Sequence, residues 1–170
     1  PKEIINFIDN KKCIIKPVDS SGSRGVNEIQ KISSVKRLIK NALAFSRLKK
    51  TIVEEKINGK EFGAQTFSIN GKCKYVYLHN DYMSKNNKKI PIGHSMPFNL
   101  IKNNRIVLKI KKDIAHAVEL MKIKNGPSNV DCIIDKNNRL VILEISPRIG
   151  ATCLPQILKT YSGVDWDINS

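Results

Sequence analysis

The chain has 170 residues, a mass of 19.2 kDa and a formal net charge of +15. Its 41% hydrophobic and 26% charged residues are typical of one large globular domain or two small lobes with a buried core. No apolar run approaches the ~20 residues that a membrane span requires, and the N-terminus lacks the pattern of a signal peptide. We therefore expect a cytoplasmic protein with no membrane partner.

An excess of 30 lysines and arginines over 15 acidic residues raises the question of nucleic-acid binding. The lysines are scattered through every segment, and the 6% aromatic residues provide few surfaces on which bases could stack. A nucleic-acid partner is therefore disfavoured, although a basic surface would also suit a nucleotide. The cysteines form no CxxC pair, which indicates buried free thiols rather than a disulfide frame or a zinc site.

The first ten residues have the spacing of a short helix, and Lys12 to Pro17 predicts a short buried strand. A loop rich in serine and glycine follows from Asp19 to Asn27. The next helix is expected to begin near Ser33 or Ser34, because serine is a favoured N-cap residue.

Strand patterns then dominate, with Thr51 to Ile57, Phe62 to Ile69 and Lys72 to Leu78, and Asn70-Gly71 predicts a tight hairpin turn. Residues 80 to 100 are predicted to be irregular. A second helix is expected from about Asn104 to Lys124, ended by Asn125-Gly126-Pro127. Its inward side chains would be Ile106, Ile110, Ile114, Ala117, Val118 and Met121.

The order of elements predicts an α+β fold of two lobes, residues 1–56 and 57–170, with a hinge near Ile57 to Gly59. The last two strands, Val130 to Ile134 and Leu140 to Ile145, form a hairpin. A two-residue turn at Asn137-Asn138 would place Asp131 opposite Glu144 and Asn129 opposite Ser146. The expected core face is Val130, Cys132, Ile134, Val141, Leu143 and Ile145.

Two carboxylates directly opposite each other, with Cβ atoms about 5 Å apart, destabilise a sheet unless something compensates their charge. Magnesium is a natural compensator, because it prefers one or two carboxylates together with substrate phosphates. The alternative is a pair of solvated acids on an open face. A longer turn would also shift the register and break the pairing.

Two further segments carry nucleotide-binding chemistry. Lys16 ends an apolar strand, and the small residues of Ser20 to Val26 could let backbone N–H groups approach phosphates, although the loop matches neither GxGxxG nor GxxxxGK[ST]. The strand edge from Val53 to Glu61 could pair with adenine, and Glu61 could accept ribose hydroxyls. A flexible surface loop and solvated surface acids are the respective alternatives.

These three segments, in this order and spacing, resemble the ATP-grasp superfamily of carboxylate–amine ligases. The resemblance spans residues 12 to 150 and is greatest to carbamoyl-phosphate synthase large-subunit-like and amino-acid ligase members. It implies a lid lobe plus a C-terminal lobe, in which an antiparallel sheet is flanked by helices.

Position by position, the resemblance assigns Lys16 to the nucleotide phosphates. It assigns Arg148 to the γ-phosphate or the acyl-phosphate intermediate. Asp131 and Glu144 match the ligands of Mg²⁺ or Mn²⁺, and Ser146 occupies the third metal position, where the family has an asparagine. Because a hydroxyl is a poorer ligand than an amide oxygen, Ser146 would bind the metal through water, or that metal position would be weakened. The remaining nucleotide contacts that it implies are the lid residues Ser21, Gly22, Ser23, Arg24 and Gly25, the adenine-lining Glu54, Glu55 and Ile57, and the ribose-binding Glu61.

The implied activity is ATP-dependent C–N bond formation between a small-molecule carboxylate and an amine. The family's N-terminal substrate domain is missing from this sequence, so we expect a fragment that is inactive alone. A small-molecule kinase and a basic nucleic-acid-binding module are the alternatives. Among the histidines, His94 lies in a loop that could face substrate, His116 is expected at the surface, and nothing singles out His79.

Overall fold

A computed structural model describes residues 6–8, 11–84 and 91–166. Residues 6–8 are helical, and the rest of the predicted N-terminal helix lies outside the described residues. The chain divides into two compact units, Pro1–Ile57 and Asn58–Ser170. Within the described ranges, the helices are all too short or too polar to cross a bilayer.

The first unit is built on an antiparallel sheet of three strands. Strand β1 (Cys13–Pro17) lies between β2 (Asn27–Ile29) and β3 (Thr51–Glu55). A 3-10 turn, Ile32–Ser34, leads into helix α1 (Val35–Ala44). The unit's buried core consists of Ile8, Cys13, Ile15, Ile29, Val35, Leu38 and Ala42.

In this unit one strand was not predicted, and the helix begins after Ser34 as expected but without the expected serine cap. Strand β2 was not predicted, because three residues are too few to show a period. Ser34 precedes α1 but does not cap it: its hydroxyl donates to the carbonyl of Lys31 at 2.7 Å, within the preceding 3-10 turn.

The second unit contains an antiparallel sheet of five strands in the order β6-β5-β4-β7-β8. Its strands are β4 (Gly59–Ile69), β5 (Lys72–Met83), β6 (Pro91–Ser95), β7 (Gly126–Asp135) and β8 (Leu140–Ser146). Helix α2 (Asn104–Leu120) packs on one face of the sheet, and helix α3 (Leu154–Ser162) follows β8. The core between the sheet and α2 contains Phe62, Ala64, Leu78, Ile110, Ile114, Val118, Val130, Cys132 and Ile134.

The segment from 80 to 100 is more regular than its polar sequence suggested, because β5 continues to Met83 and pairs with β6. Helix α2 ends at Leu120, earlier than predicted, and Met121 is 58% exposed rather than inward. Gly126 and Pro127, expected to terminate the helix, begin β7 instead. The hairpin turn at Asn70-Gly71 is confirmed, with positive φ at both residues.

The turn of the final hairpin is longer than predicted. The Asp135 N–H donates to the carbonyl of Arg139, so these two residues close a turn of three residues, 136–138, rather than two. Asn138 occupies the left-handed region with φ of 59°, and the Asp135 carboxylate accepts from the N–H groups of Asn137 and Arg139 at 2.9 Å each. The predicted two-residue Asn137-Asn138 turn is therefore wrong.

A β-bulge restores the predicted pairing farther along the hairpin. Cys132 lies opposite Ile142 and Asp131 lies opposite Glu144, so Leu143 is the extra residue on β8. The bulge moves the core-facing positions of β8 to Leu140, Ile142 and Ile145, whereas Leu143 is 40% exposed. The assignment of Val141 and Leu143 to the core was therefore wrong, and the Asp131–Glu144 pairing is confirmed.

The left-handed conformation of Asn138 makes the turn testable. A β-branched residue is strained at positive φ, so Asn138→Val should lower the free energy of unfolding by about 1–2 kcal/mol. Asn138→Gly serves as the matched control and should leave the stability unchanged or slightly raised. Urea unfolding measures both, and equal stability of the two variants would contradict the assigned turn.

Candidate functional site

The face of the second sheet that points away from α2 carries a row of polar side chains. Gly63 on β4 pairs with His79 on one side and with Asp131 on the other, and Asp131 pairs with Glu144. Because side chains alternate along a strand, all of these positions share one face. The four strands β5, β4, β7 and β8 therefore present one continuous polar strip.

Two carboxylates form one end of this strip. The amide Nδ2 of Asn129 donates to Asp131 Oδ1 at 2.8 Å, and the hydroxyl of Ser146 donates to Glu144 Oε1 at 2.6 Å. Burial raises the pKa of Asp131, and repulsion from Glu144 and Asp81 raises it further, against the opposing hydrogen bond from Asn129. Asp131 is therefore harder to ionise than an ordinary aspartate.

This donor set fits a hard divalent cation. Two carboxylates on facing strands offer oxygen ligands, and a cation would stabilise the charged form of Asp131, which burial and the neighbouring acids disfavour. Ser146 is held against Glu144 by its own hydrogen bond. Its hydroxyl therefore orients that carboxylate.

Two other predicted site residues lie in the same unit. Glu61 is exposed on β4, two residues before Gly63 and therefore on the same sheet face as Asp131. Arg148 lies just beyond β8, where its N–H donates to the carbonyl of Ser146 at 2.8 Å and its guanidinium to the carbonyl of Ile149 at 3.0 Å. The structure thus brings Glu61, Asp131, Glu144 and Ser146 onto one face, with Arg148 at the end of the strand.

The remaining predicted contacts belong to the first unit. The ammonium of Lys16 on β1 forms an ion pair with Glu54 on β3, with an Nζ–Oε2 distance of 2.6 Å. Glu55 contacts Lys11 at 3.4 Å instead, because adjacent residues of a strand point to opposite faces. Glu54 and Glu55 therefore do not line the same surface with their side chains, and Ile57 lies just beyond the end of β3.

The loop from Ser21 to Gly25 is folded on itself. The side chain of Arg24 donates to the carbonyl and the hydroxyl of Ser21, both at 3.1 Å. Gly22, Ser23 and Gly25 have positive φ of 61°, 55° and 76°. A Cβ on Gly25 would lie 2.9 Å from Pro17 Cγ and 3.0 Å from Phe45 Cδ2, so a side chain there would displace the loop.

Sequence reasoning missed a buried group of two histidines and an aspartate. Asp81 Oδ1 accepts hydrogen bonds from Nδ1 of His79 at 2.8 Å and from Nδ1 of His94 at 2.7 Å. Burial opposes the ionisation of Asp81, but these two hydrogen bonds outweigh it and lower its pKa. His79 gave no signal in the sequence, because two of the side chains beside it, His94 and Gln65, come from other strands.

The potential ligand atoms of His79, Asp81 and His94 lie within 4.8 Å of one another, a spacing that a metal ion could use. The hydrogen bonds indicate another arrangement. Nδ1 of His79 is bonded to the Asp81 carboxylate, and the Nε2 amide group of Gln65 lies 3.4 Å from the other ring nitrogen of His79. A metal on Nδ1 would place an N–H of His79 against this amide donor.

The raised pKa of Asp131 has a measurable consequence. The folded protein binds the Asp131 proton more tightly than the unfolded chain does. The contribution of Asp131 to stability is therefore greatest below the ordinary aspartate pKa, and it falls as the pH rises toward the raised pKa of Asp131 in the folded protein. Asp131→Asn should therefore be more stable than the wild type at neutral pH without divalent cations. This advantage should shrink on acidification toward the usual carboxyl pKa.

Asp135→Asn is the control of opposite sign. Backbone hydrogen bonds from Arg139 and Asn137 lower the pKa of Asp135, so its replacement should reduce stability at neutral pH, and this loss should disappear in acid. Urea unfolding at several pH values measures both variants. A destabilised Asp131→Asn at neutral pH would contradict the assigned electrostatics.

The chain was compared with known protein families and with individual proteins. A family model described as an ATP-grasp domain matches residues 10–156. A D-alanine–D-alanine ligase of Wigglesworthia glossinidia brevipalpis is 31% identical over 161 residues, which cover 89% of this chain and 44% of that relative.

Solved structures with the same fold include two ligases or synthetases by name. Phosphoribosylglycinamide synthetase from Anaerococcus prevotii aligns with a TM-score of 0.66 and 29% identity, over 97% of this chain and 40% of that one. L-amino acid ligase from Bacillus licheniformis aligns with a TM-score of 0.72 and 23% identity, over 91% and 36%. This chain spans less than half of each of these proteins. With residues 10–156 matched, it belongs to the ATP-grasp domain family.

Proposed function

We propose that this chain is the ATP- and magnesium-binding portion of an ATP-dependent carboxylate–amine ligase that acts through an acyl phosphate. The observation that carries the proposal is the cross-strand pair of Asp131 and Glu144, whose mutual repulsion calls for a cation. The D-alanine–D-alanine ligase relative supports amino-acid-like substrates, a small carboxylate and an amine. A substrate-binding domain from the remainder of the parent protein completes the enzyme.

Each group has a role in this chemistry. Mg²⁺ held by Asp131 and Glu144 would neutralise the charge of the β- and γ-phosphates. Arg148 stabilises the negative charge that develops on the transferred phosphoryl group. Lys16 binds phosphate oxygens, which compete with Glu54 for its ammonium. The Ser21 to Gly25 loop covers the phosphates and excludes water from the hydrolysable acyl phosphate.

The nucleoside of ATP is bound by the remaining residues in this proposal. The β3 edge and Ile57 contact the adenine through backbone groups, and Glu61 accepts hydrogen bonds from the ribose hydroxyls. The ion pairs of Glu54 with Lys16 and of Glu55 with Lys11 favour a backbone role over a side-chain role for these two acids.

A small-molecule kinase with the same nucleotide site would phosphorylate a hydroxyl and form no amide bond. Detection of amide product from amino-acid mixtures with ATP therefore separates ligase from kinase. A nucleic-acid-binding module would instead need neither ATP nor magnesium, and its affinity would fall steeply with salt.

The proposal predicts that Glu144→Gln in the full-length enzyme abolishes ATP turnover and leaves the fold intact, because the amide cannot neutralise the cation. Asp113→Asn is the matched control, since Asp113 lies on α2 against the opposite face of the sheet. Release of ADP measures turnover, and thermal unfolding measures the fold. Retained turnover in Glu144→Gln would overturn the metal assignment.

A further inference from the structure

A fully buried amide lies at the centre of the polar strip. Gln65 is 0% exposed and lies on β4, two residues after Gly63 and opposite Asn129 of β7. Its Nε2 donates to Asn129 Oδ1, and its Oε1 accepts from the N–H of Gly150 at 2.8 Å. One side chain therefore joins the central strand, the neighbouring strand and the segment after β8.

The contact with Gln65 determines which way the side-chain amide of Asn129 points. Because its Oδ1 is occupied by Gln65, Asn129 presents Nδ2 to Asp131 Oδ1 at 2.8 Å. Without Gln65 the amide could rotate and bring its oxygen against the carboxylate, which is unfavourable. Gln65 thus orients the Asp131 carboxylate indirectly, through the amide of Asn129.

The contact with Gly150 fixes the segment that carries Arg148. A Cβ on Gly150 would lie 2.7 Å from both Asn129 Oδ1 and Gln65 Nε2, and 2.5 Å from Leu154 Cδ1. The backbone therefore approaches the amide pair more closely than any side chain would permit. Gly150 is itself buried, so this approach locks the start of the segment against the sheet.

We propose that Gln65 is a positioning residue of the nucleotide and metal site: it orients Asp131 through Asn129 and anchors the Arg148 segment through Gly150. This inference rests on the proposed metal-binding function of Asp131 and Glu144. Outer partners of this kind typically contribute 10–100-fold to metal affinity without touching the ion.

Three variants of the whole chain test the role of Gln65, with Mn²⁺ as the probe and the loss of its free-ion electron paramagnetic resonance signal as the readout. Gln65→Met removes both hydrogen bonds at nearly constant size and should weaken Mn²⁺ binding about tenfold. Gly150→Ala keeps the side chains of Gln65 and Asn129 but forces them apart, and it should also weaken Mn²⁺ binding. It serves as the independent variant if Gln65→Met does not fold.

Thr66→Val is the matched control. Thr66 is the next residue of β4, is equally buried and points to the opposite, α2-facing side, where its hydroxyl contacts the Ser128 carbonyl at 3.4 Å. It should lower the melting temperature and leave the Mn²⁺ affinity within twofold of the wild type. This separates positioning from a general loss of stability.

The outcomes are distinct. Weaker binding in folded Gln65→Met or Gly150→Ala, with normal binding in Thr66→Val, supports the proposal. Wild-type affinity in a folded Gln65→Met protein, or an equal loss in Thr66→Val, overturns it and leaves the proposed function standing. Absence of Mn²⁺ binding in the wild type, or binding that Glu144→Gln does not reduce, overturns the proposed function and this inference with it.

Discussion

Mutual repulsion between two carboxylates on adjacent strands is the constraint on which the candidate site depends. Asp131 and Glu144 are directly paired in the ladder between β7 and β8, and burial with neighbouring acids raises the pKa of Asp131. Such a pair costs stability in an isolated sheet. Hydrogen bonds from Asn129 and Ser146 hold the two carboxylates in fixed orientations, as a cation-binding pair requires.

The final hairpin shows how far sequence could predict this site. The expected pairing of Asp131 with Glu144 is confirmed, but the two-residue turn used to derive it was wrong. The turn is one residue longer, and the bulge at Leu143 returns the strand to the predicted register. The extra turn residue and the extra bulge residue each shift the register by one, and the two shifts cancel at Asp131 and Glu144. Between the turn and the bulge, the core-facing side chains of β8 are those that were predicted to face away from the core. A bulge leaves no period in a sequence and could not be foreseen, whereas a longer turn was among the alternatives that the sequence left open.

The buried polar network could not be predicted for a related reason. His79, Gln65 and Asn129 come together because β4 lies between β5 and β7, and strand order in a sheet is a property of the whole fold. Lys16 and Asp131 could be singled out because the segments that carry them resemble a known family in order and spacing. The roles assigned to Asp131, Glu144 and Arg148 stay predictions, as do those in the first unit, where Lys16 and Glu54 pair with each other.

The most direct test is a crystal structure of the protein with Mn²⁺ and ADP, using the anomalous signal of manganese to locate the ion. We expect a peak between Asp131 and Glu144, with a carboxylate oxygen of each in direct contact with the ion. An anomalous peak at His79, Asp81 and His94 with none at the two acids would contradict it.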